Sequence, residues 1–299
     1  MTAPDQIIEL KKKRNAVILA HYYQTLEIQD AADFVGDSYA LAEKARDTDC
    51  DVIILCGVRF MAESAKILNP EKTVYLPAPD AGCPMADMIE AEDVLKLKEQ
   101  YPNAVVMCYV NSSSAVKAVS DVCCTSSSAL RIAEKLDEKQ IIFIPDQNLG
   151  AYVQSKIPEK EIILYSGFCP THHKVTGEDA QAAKKVHPAA KIFAHPECRP
   201  EVLEYADYIG STAGILDAVR RSGDSEFIIG TEYGVAEILA REFPEKRFYL
   251  LKSGFVCPNM KKTELTDIIR ALEGGEPPIE LPKAELEAAA LSLQRMVSM

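Results

Sequence analysis

Three times in this chain of 299 residues an apolar run ends in a turn that delivers Cys-Pro: Cys83-Pro84, Cys169-Pro170 and Cys257-Pro258. The cysteines stand 86 and 88 residues apart, so each marks the same place in a repeated unit. The units also open alike. Each begins with an apolar strand ending in polar groups: Val17–Tyr23 with His21 and Tyr23, Val105–Asn111 with Tyr109 and Asn111, Lys191–Glu197 with His195 and Glu197. His21 to Ser38, Tyr109 to Ser126 and His195 to Thr212 are each 17 residues. Periodicity of this kind is better evidence of architecture than chain length. It predicts a triplicated domain offering one thiolate per copy to one shared metal site.

Within each unit, short β-branched runs alternate with segments of helical period. The predicted strands are Ala16–Ala20, Asp33–Gly36, Asp51–Leu55 and Thr73–Leu76; then Ala104–Cys108, Asp121–Cys124, Gln140–Ile144 and Glu161–Tyr165; then Ala190–Ala194, Asp207–Gly210, Glu226–Ile229 and Arg247–Leu251. Continuous apolar strands separated by helices read as parallel strands buried on both faces. The expected fold is therefore α/β, with three homologous three-layer αβα domains related by pseudo-threefold symmetry around a central site. The expected boundaries are 1–88, 89–175 and 176–299, the last including C-terminal helices. In each second-strand region a hydroxyl is expected at or near a helix N-cap: Ser38, Ser126, Ser211 and Thr212. Gly274-Gly275 should break the penultimate helix, and Pro282–Met299 reads as one closing helix.

A net charge of −12 argues against a nucleic-acid surface, though not against an anionic substrate held by a few strand-end donors. No 18-residue apolar stretch is present, so no membrane span is expected, and the cytoplasm is the expected location. Nine cysteines do not suggest a secreted disulfide framework.

Ligands of open parallel sheets bind beyond the carboxyl ends of the strands. Those ends supply His21, Tyr23, Ser38 and Cys83 from the first unit, and Tyr109, Asn111, Ser126 and Cys169 from the second. The third supplies His195, Glu197, Ser211, Thr212 and Cys257. The bland reading of the cysteines is inert core packing, which does not explain a Cys-Pro turn in every copy. A closed zinc site usually needs four ligands with paired C-x-x-C spacing, and these three are singletons. Three thiolates around a 4Fe–4S cluster would leave one open iron, able to act as a Lewis acid. Cys50, Cys56, Cys108, Cys123, Cys124 and Cys198 lack the threefold register and read as core. His172-His173 reads equally as site or surface. The hydroxyl donors suit carboxylates or a phosphate ester. Glu197, His21, His195, Tyr23 and Tyr109 are the candidates for proton transfer.

The three singleton cysteines, His195-Pro196-Glu197 and Tyr109-Val110-Asn111 together closely resemble the quinolinate synthase family, the A protein of NAD (pyridine nucleotide) biosynthesis. The resemblance runs from His21-Tyr22-Tyr23 to Cys257. It implies a 4Fe–4S cluster on Cys83, Cys169 and Cys257 at the centre of three domains. It implies condensation of iminoaspartate with dihydroxyacetone phosphate to quinolinate, phosphate and water, with an aspartate-oxidising or dehydrogenating enzyme as a possible source of iminoaspartate. It also implies that His21, Ser38, Tyr109, Val110, Asn111, Ser126, His195, Pro196, Glu197, Ser211 and Thr212 form the substrate site. Glu197 is the leading base, with Tyr23, Tyr109 and His21 as helpers. Some members carry C-x-x-C-x-x-C at the third cysteine, where this chain has Cys257 alone. A hydro-lyase using the same open-iron chemistry and a cluster-based sensor are the competing readings.

Overall fold

The computed structural model describes residues 2–299. Its strands form three parallel sheets. The first contains β1 (Ala16–His21), β2 (Phe34–Gly36), β3 (Val52–Cys56) and β4 (Thr73–Tyr75). The second contains β5 (Val105–Tyr109), β6 (Val122–Cys124), β7 (Gln140–Ile144) and β8 (Glu161–Leu164). The third contains β9 (Lys191–Ala194), β10 (Tyr208–Ile209), β11 (Glu226–Gly230) and β12 (Arg247–Leu250). Every sheet runs second–first–third–fourth in its own strand order, so the first and third strands are central. This explains their composition: β1 and β3 are buried at every position, whereas the edge strands β8 and β12 are partly exposed. Helices flank the sheets, as expected of three-layer αβα domains. Each fully buried Ile or Leu in the central strands contributes about 1.5–3 kcal/mol of apolar burial.

One repeated residue is explained by packing. Asp33, Asp121 and Asp207 each precede the second strand of their sheet. Each carboxylate accepts a backbone N–H from the first strand, at Ile18 (2.8 Å), Val106 (2.7 Å) and Ile192 (2.9 Å). Each also pairs with a lysine: Lys11, Lys98 and Lys191. These aspartates thus tie neighbouring strands together at the end remote from the site.

The helix Leu265–Glu273 ends at Gly274, whose φ of +80° suits a residue without Cβ. That helix packs on the N-terminal helix Ala3–Arg14, and the closing helix Lys283–Ser298 packs on Ser114–Ala118, β6 and Arg59–Leu68. Although both follow the third sheet in sequence, they cover elements of the first and second units. No helix among the described residues is long and apolar enough to cross a membrane.

Candidate active site

The carboxyl ends of β1, β5 and β9 project into one cavity of about 170 Å³. In two of them the main chain orients a histidine in the same way. The N–H of Tyr23 donates to His21 Nδ1 (3.0 Å), and that of Glu197 donates to His195 Nδ1 (3.3 Å). A neutral imidazole that accepts at Nδ1 carries its proton on Nε2. Both rings are held neutral: burial, then the charge of Lys261, pushes the His21 pKa down to about 3, and burial, against the opposing pull of Glu197, takes His195 to about 4. His195 Nε2 meets Ser126 Oγ at 3.1 Å, while no described residue takes the Nε2–H of His21. The side-chain oxygen of Asn111 is buried without a partner. Donors and an acceptor thus stand ready around one space.

Glu197 lies on the opposite side of the acid–base ledger. Its Oε1 accepts from Tyr109 Oη (2.6 Å), and its Oε2 lies 2.8 Å from His172 Nδ1. Burial raises its pKa, but the neighbouring His172 and His195 rings, together with these hydrogen bonds, outweigh burial and hold the carboxyl below its ordinary value. Tyr109 and Tyr23 move the other way, raised by burial and by the Glu197 charge, so both phenols keep their protons. Asn148 Nδ2 donates to the Glu197 carbonyl oxygen at 3.0 Å, pinning this strand end from the second unit.

The same cavity is lined by Cys83, Cys169 and Cys257, each followed by proline and a short turn. Cys169 and Cys257 are N-caps with proline at the first helical position, where its missing N–H costs nothing. Burial pushes all three thiols up, Cys83 to about 12. Opposing it in every case is the N–H of the residue three positions on, at Ala86, His172 and Met260, aimed at the sulfur. Among the described residues, the one set of three ligand atoms within 4.8 Å of one another is Cys169, His172 and Glu197. The sulfurs of Cys83, Cys169 and Cys257 do not form such a set, so one ion does not reach all three.

Along nearly its whole length, residues 5–298, the chain matches the family described as Quinolinate synthetase A protein, NadA. The chain belongs to the quinolinate synthetase A family. It is 51% identical over 294 residues to the quinolinate synthase of Caldicellulosiruptor saccharolyticus, covering 98% of this chain and 97% of that protein. It is 49% identical over 294 residues to quinolinate synthase 2 of Methanosarcina acetivorans, covering 98% and 94%. With the quinolinate synthase of Clostridium perfringens strain 13 it shares 50% identity over 296 residues, covering 99% and 98%.

Quinolinate synthetase A membership implies an iron–sulfur cluster, and the donor set fits one. Three thiols too widely spaced for a single ion suit a polynuclear group, in which each sulfur binds a different iron. The N–H groups aimed at the sulfurs are of the kind that stabilise cluster thiolates. A single ion on Cys169, His172 and Glu197 fits less well, because the 2.8 Å separation of His172 Nδ1 and Glu197 Oε2 is a hydrogen-bond distance.

Twelve of the sequence-predicted site residues line the cavity: His21, Tyr23, Ser38, Cys83, Tyr109, Asn111, Ser126, Cys169, His195, Glu197, Thr212 and Cys257. Val110, Pro196 and Ser211 are buried but do not line it. The expected hydroxyls lie at or near the helix caps, with Ser211 itself a cap. Asp37 caps Ser38–Asp47, and Ser211 caps Thr212–Arg221 by accepting from Gly214 N, leaving Ser38 and Thr212 in the first helical position. The cap of Ala129–Lys135 is Ser128, so Ser126 lies in the turn before it. Sequence reasoning missed Asp37, Phe60 and Asn259 on the wall and left His172 undecided; the structure puts His172 inside.

Proposed function

We propose that this chain condenses iminoaspartate with dihydroxyacetone phosphate, releasing quinolinate, phosphate and water. The observation that carries the reading is the cavity itself, where three thiols meet neutral imidazole donors and one ionised carboxylate. Within it, Cys83, Cys169 and Cys257 would hold a 4Fe–4S cluster, each through its sulfur. When bound, such a cluster supplies an iron without a protein ligand, a Lewis acid for a substrate hydroxyl or carboxylate. The same reading takes 1–88, 89–175 and 176–299 as three related units around a pseudo-threefold axis.

The remaining roles follow from the side chains. The Nε2–H of His21 and the Ser126–His195 pair donate to substrate carboxylates. Asn111, with its unpartnered oxygen, accepts from the imine or enamine nitrogen. Ser38 and Thr212 open two ten-residue helices, whose unpaired first-turn N–H groups and positive dipole ends favour a phosphate or carboxylate. Glu197 removes the protons that isomerisation and ring closure release, and the Tyr109 hydroxyl at 2.6 Å steadies the carboxylate between turns. Tyr23, protonated, returns a proton. Burial of these groups keeps water off the imines.

Anaerobically prepared protein, supplied with iminoaspartate and dihydroxyacetone phosphate, should release quinolinate and inorganic phosphate in equal amounts. Dehydration of a hydroxy acid without phosphate release would favour the hydro-lyase. A protein that binds zinc and no iron would overturn the cluster reading. The sensor alternative has no use for Glu197 and His195 beside the cysteines.

A further inference from the structure

The turn after β5 is built differently from its two counterparts. After β1 and β9 the main chain is fastened to a ring, Tyr23 N to His21 Nδ1 and Glu197 N to His195 Nδ1. Each of those turns spans four residues, with Gln24 N donating to the His21 carbonyl oxygen (2.9 Å) and Cys198 N to that of His195 (3.0 Å). The second unit has Tyr109 in the histidine position, and a phenol ring has no nitrogen to accept there. Its turn is also tighter. Ser112 N donates to the Val110 carbonyl oxygen at 2.8 Å, which centres a three-residue turn on Asn111.

A different group fastens this turn, from the side away from the cavity. Lys117 is fully buried and does not line the cavity. Its ammonium donates to the Ser112 carbonyl oxygen and lies 5.6 Å from the centre of the Phe60 ring. Among the described residues no carboxylate forms an ion pair with it, so the carbonyl dipole is its main polar partner. Such a charge-assisted bond, shielded from water, is stronger than one between neutral groups. Lys117 is itself anchored at both main-chain groups: its N–H donates to Ser113 O (3.1 Å), and its carbonyl oxygen accepts from Ser292 Oγ (2.9 Å). Ser112 has a further contact, its Oγ lying 3.0 Å from Cys108 Sγ.

We propose that Lys117 is a positioning residue: by holding the Ser112 carbonyl it fixes the turn that aims the Asn111 amide into the cavity. The Asn111 side-chain oxygen is buried without a partner, so no bond of its own holds it, and its aim depends on the backbone that carries it. This rests on the reading above that Asn111 accepts from the substrate nitrogen.

Lys117→Met keeps the length of the side chain and removes the donor, whereas Lys117→Gln keeps a donor without the charge. In the cluster-loaded enzyme, Met should lower kcat roughly tenfold to a hundredfold, the scale of a misplaced contact at a reacting centre, and Gln should lower it less. KM for dihydroxyacetone phosphate and iron per chain should stay as in the parent, because Ser38, Thr212 and the three cysteines stand on other elements. The double variant decides between positioning and general support. If Lys117 acts through Asn111, Lys117→Met should cost less than about twofold more in an Asn111→Ala background. Full multiplication of the two losses would overturn the proposal. So would a raised KM with kcat kept, or parent-like kcat in Lys117→Met beside a slow Asn111→Ala. If Met does not fold, the same cycle is run with Gln; failure of both to fold would make Lys117 a residue of folding and also overturn the proposal. Full activity in Asn111→Ala would instead sink the reading of Asn111 on which the proposal stands.

Discussion

Glu197→Gln is the substitution that most directly tests the chemistry. The residue is 4% exposed and its two carboxylate oxygens already have separate partners, Tyr109 Oη at 2.6 Å and His172 Nδ1 at 2.8 Å. A glutamine oxygen can keep the Tyr109 bond. Its amide NH₂ would then face the Nδ1–H of His172, donor against donor, and one buried contact would be lost at about 1–3 kcal/mol. Replacing a buried carboxylate by a neutral amide relieves a desolvation cost of comparable size. The two effects oppose each other, so stability should change by no more than about 2 kcal/mol. Catalysis has no such offset. Loss of a general base lowers turnover by a factor on the order of 10² to 10⁴, about 3–5 kcal/mol of barrier. The assay is anaerobic phosphate and quinolinate release, with iron content and thermal midpoint measured on the same sample. Binding of a dicarboxylate product should weaken little or improve, because a like charge has left the cavity. Normal turnover at unchanged iron content would refute the reasoning and transfer the role of base to Tyr23 or Tyr109.

Replacing Cys83, Cys169 or Cys257 by Ser should abolish stable iron–sulfur content, read from absorption and iron analysis, whereas Cys50→Ser or Cys198→Ser should leave it near normal; the reverse pattern would contradict the assignment. Activity should decay in air in step with loss of iron and more slowly when a dicarboxylate occupies the site; an enzyme unaffected by prolonged aeration would argue against an open iron. His195 is held at about 4 against an ordinary 6.5, so between those values the unfolded chain binds a proton that the folded one refuses. The free energy of unfolding should therefore fall as pH drops from 6.5 toward 4, by about 3 kcal/mol for this ring, with full stability above 6.5. Denaturant titrations of the cluster-free protein should show a shallower slope in His195→Gln, and an unchanged slope would contradict the burial argument.

The repeat made much of this legible before any coordinates. β1, β3, β5 and β7 are buried almost throughout, so their apolar runs were unmistakable. The ends of the first and second strands could be found because similar residues recur there at fixed spacing. Where the three units diverge, the pattern was silent. The residues just past the third strands include Val58, Asp146 and Thr231, which share no chemistry and so leave no recurring signal. His172 stands three residues after its cysteine, where the other units have Ala86 and Met260, so its one-turn relation to Cys169 was the only available signal. The register also misleads. Asp33, Asp121 and Asp207 recur as regularly as the cysteines but serve strand pairing. The packing of the last two helices against distant units depends on contacts across most of the chain, and local pattern does not report it.

The closing helix has a consequence for synthesis. Ser292 Oγ donates to the Lys117 carbonyl oxygen at 2.9 Å and receives a hydrogen bond from Cys123 at 3.4 Å, so the second sheet acquires its cover from residues made after every strand and after Cys257. At a ribosomal rate of about 5–20 residues per second, the 41 residues from Cys257 to Ser298 take roughly 2–8 s to add. During that interval all three thiols exist while the nascent chain still lacks this clasp. Metal delivery within it would meet an incompletely supported cavity; delivery afterwards would require that cavity to open.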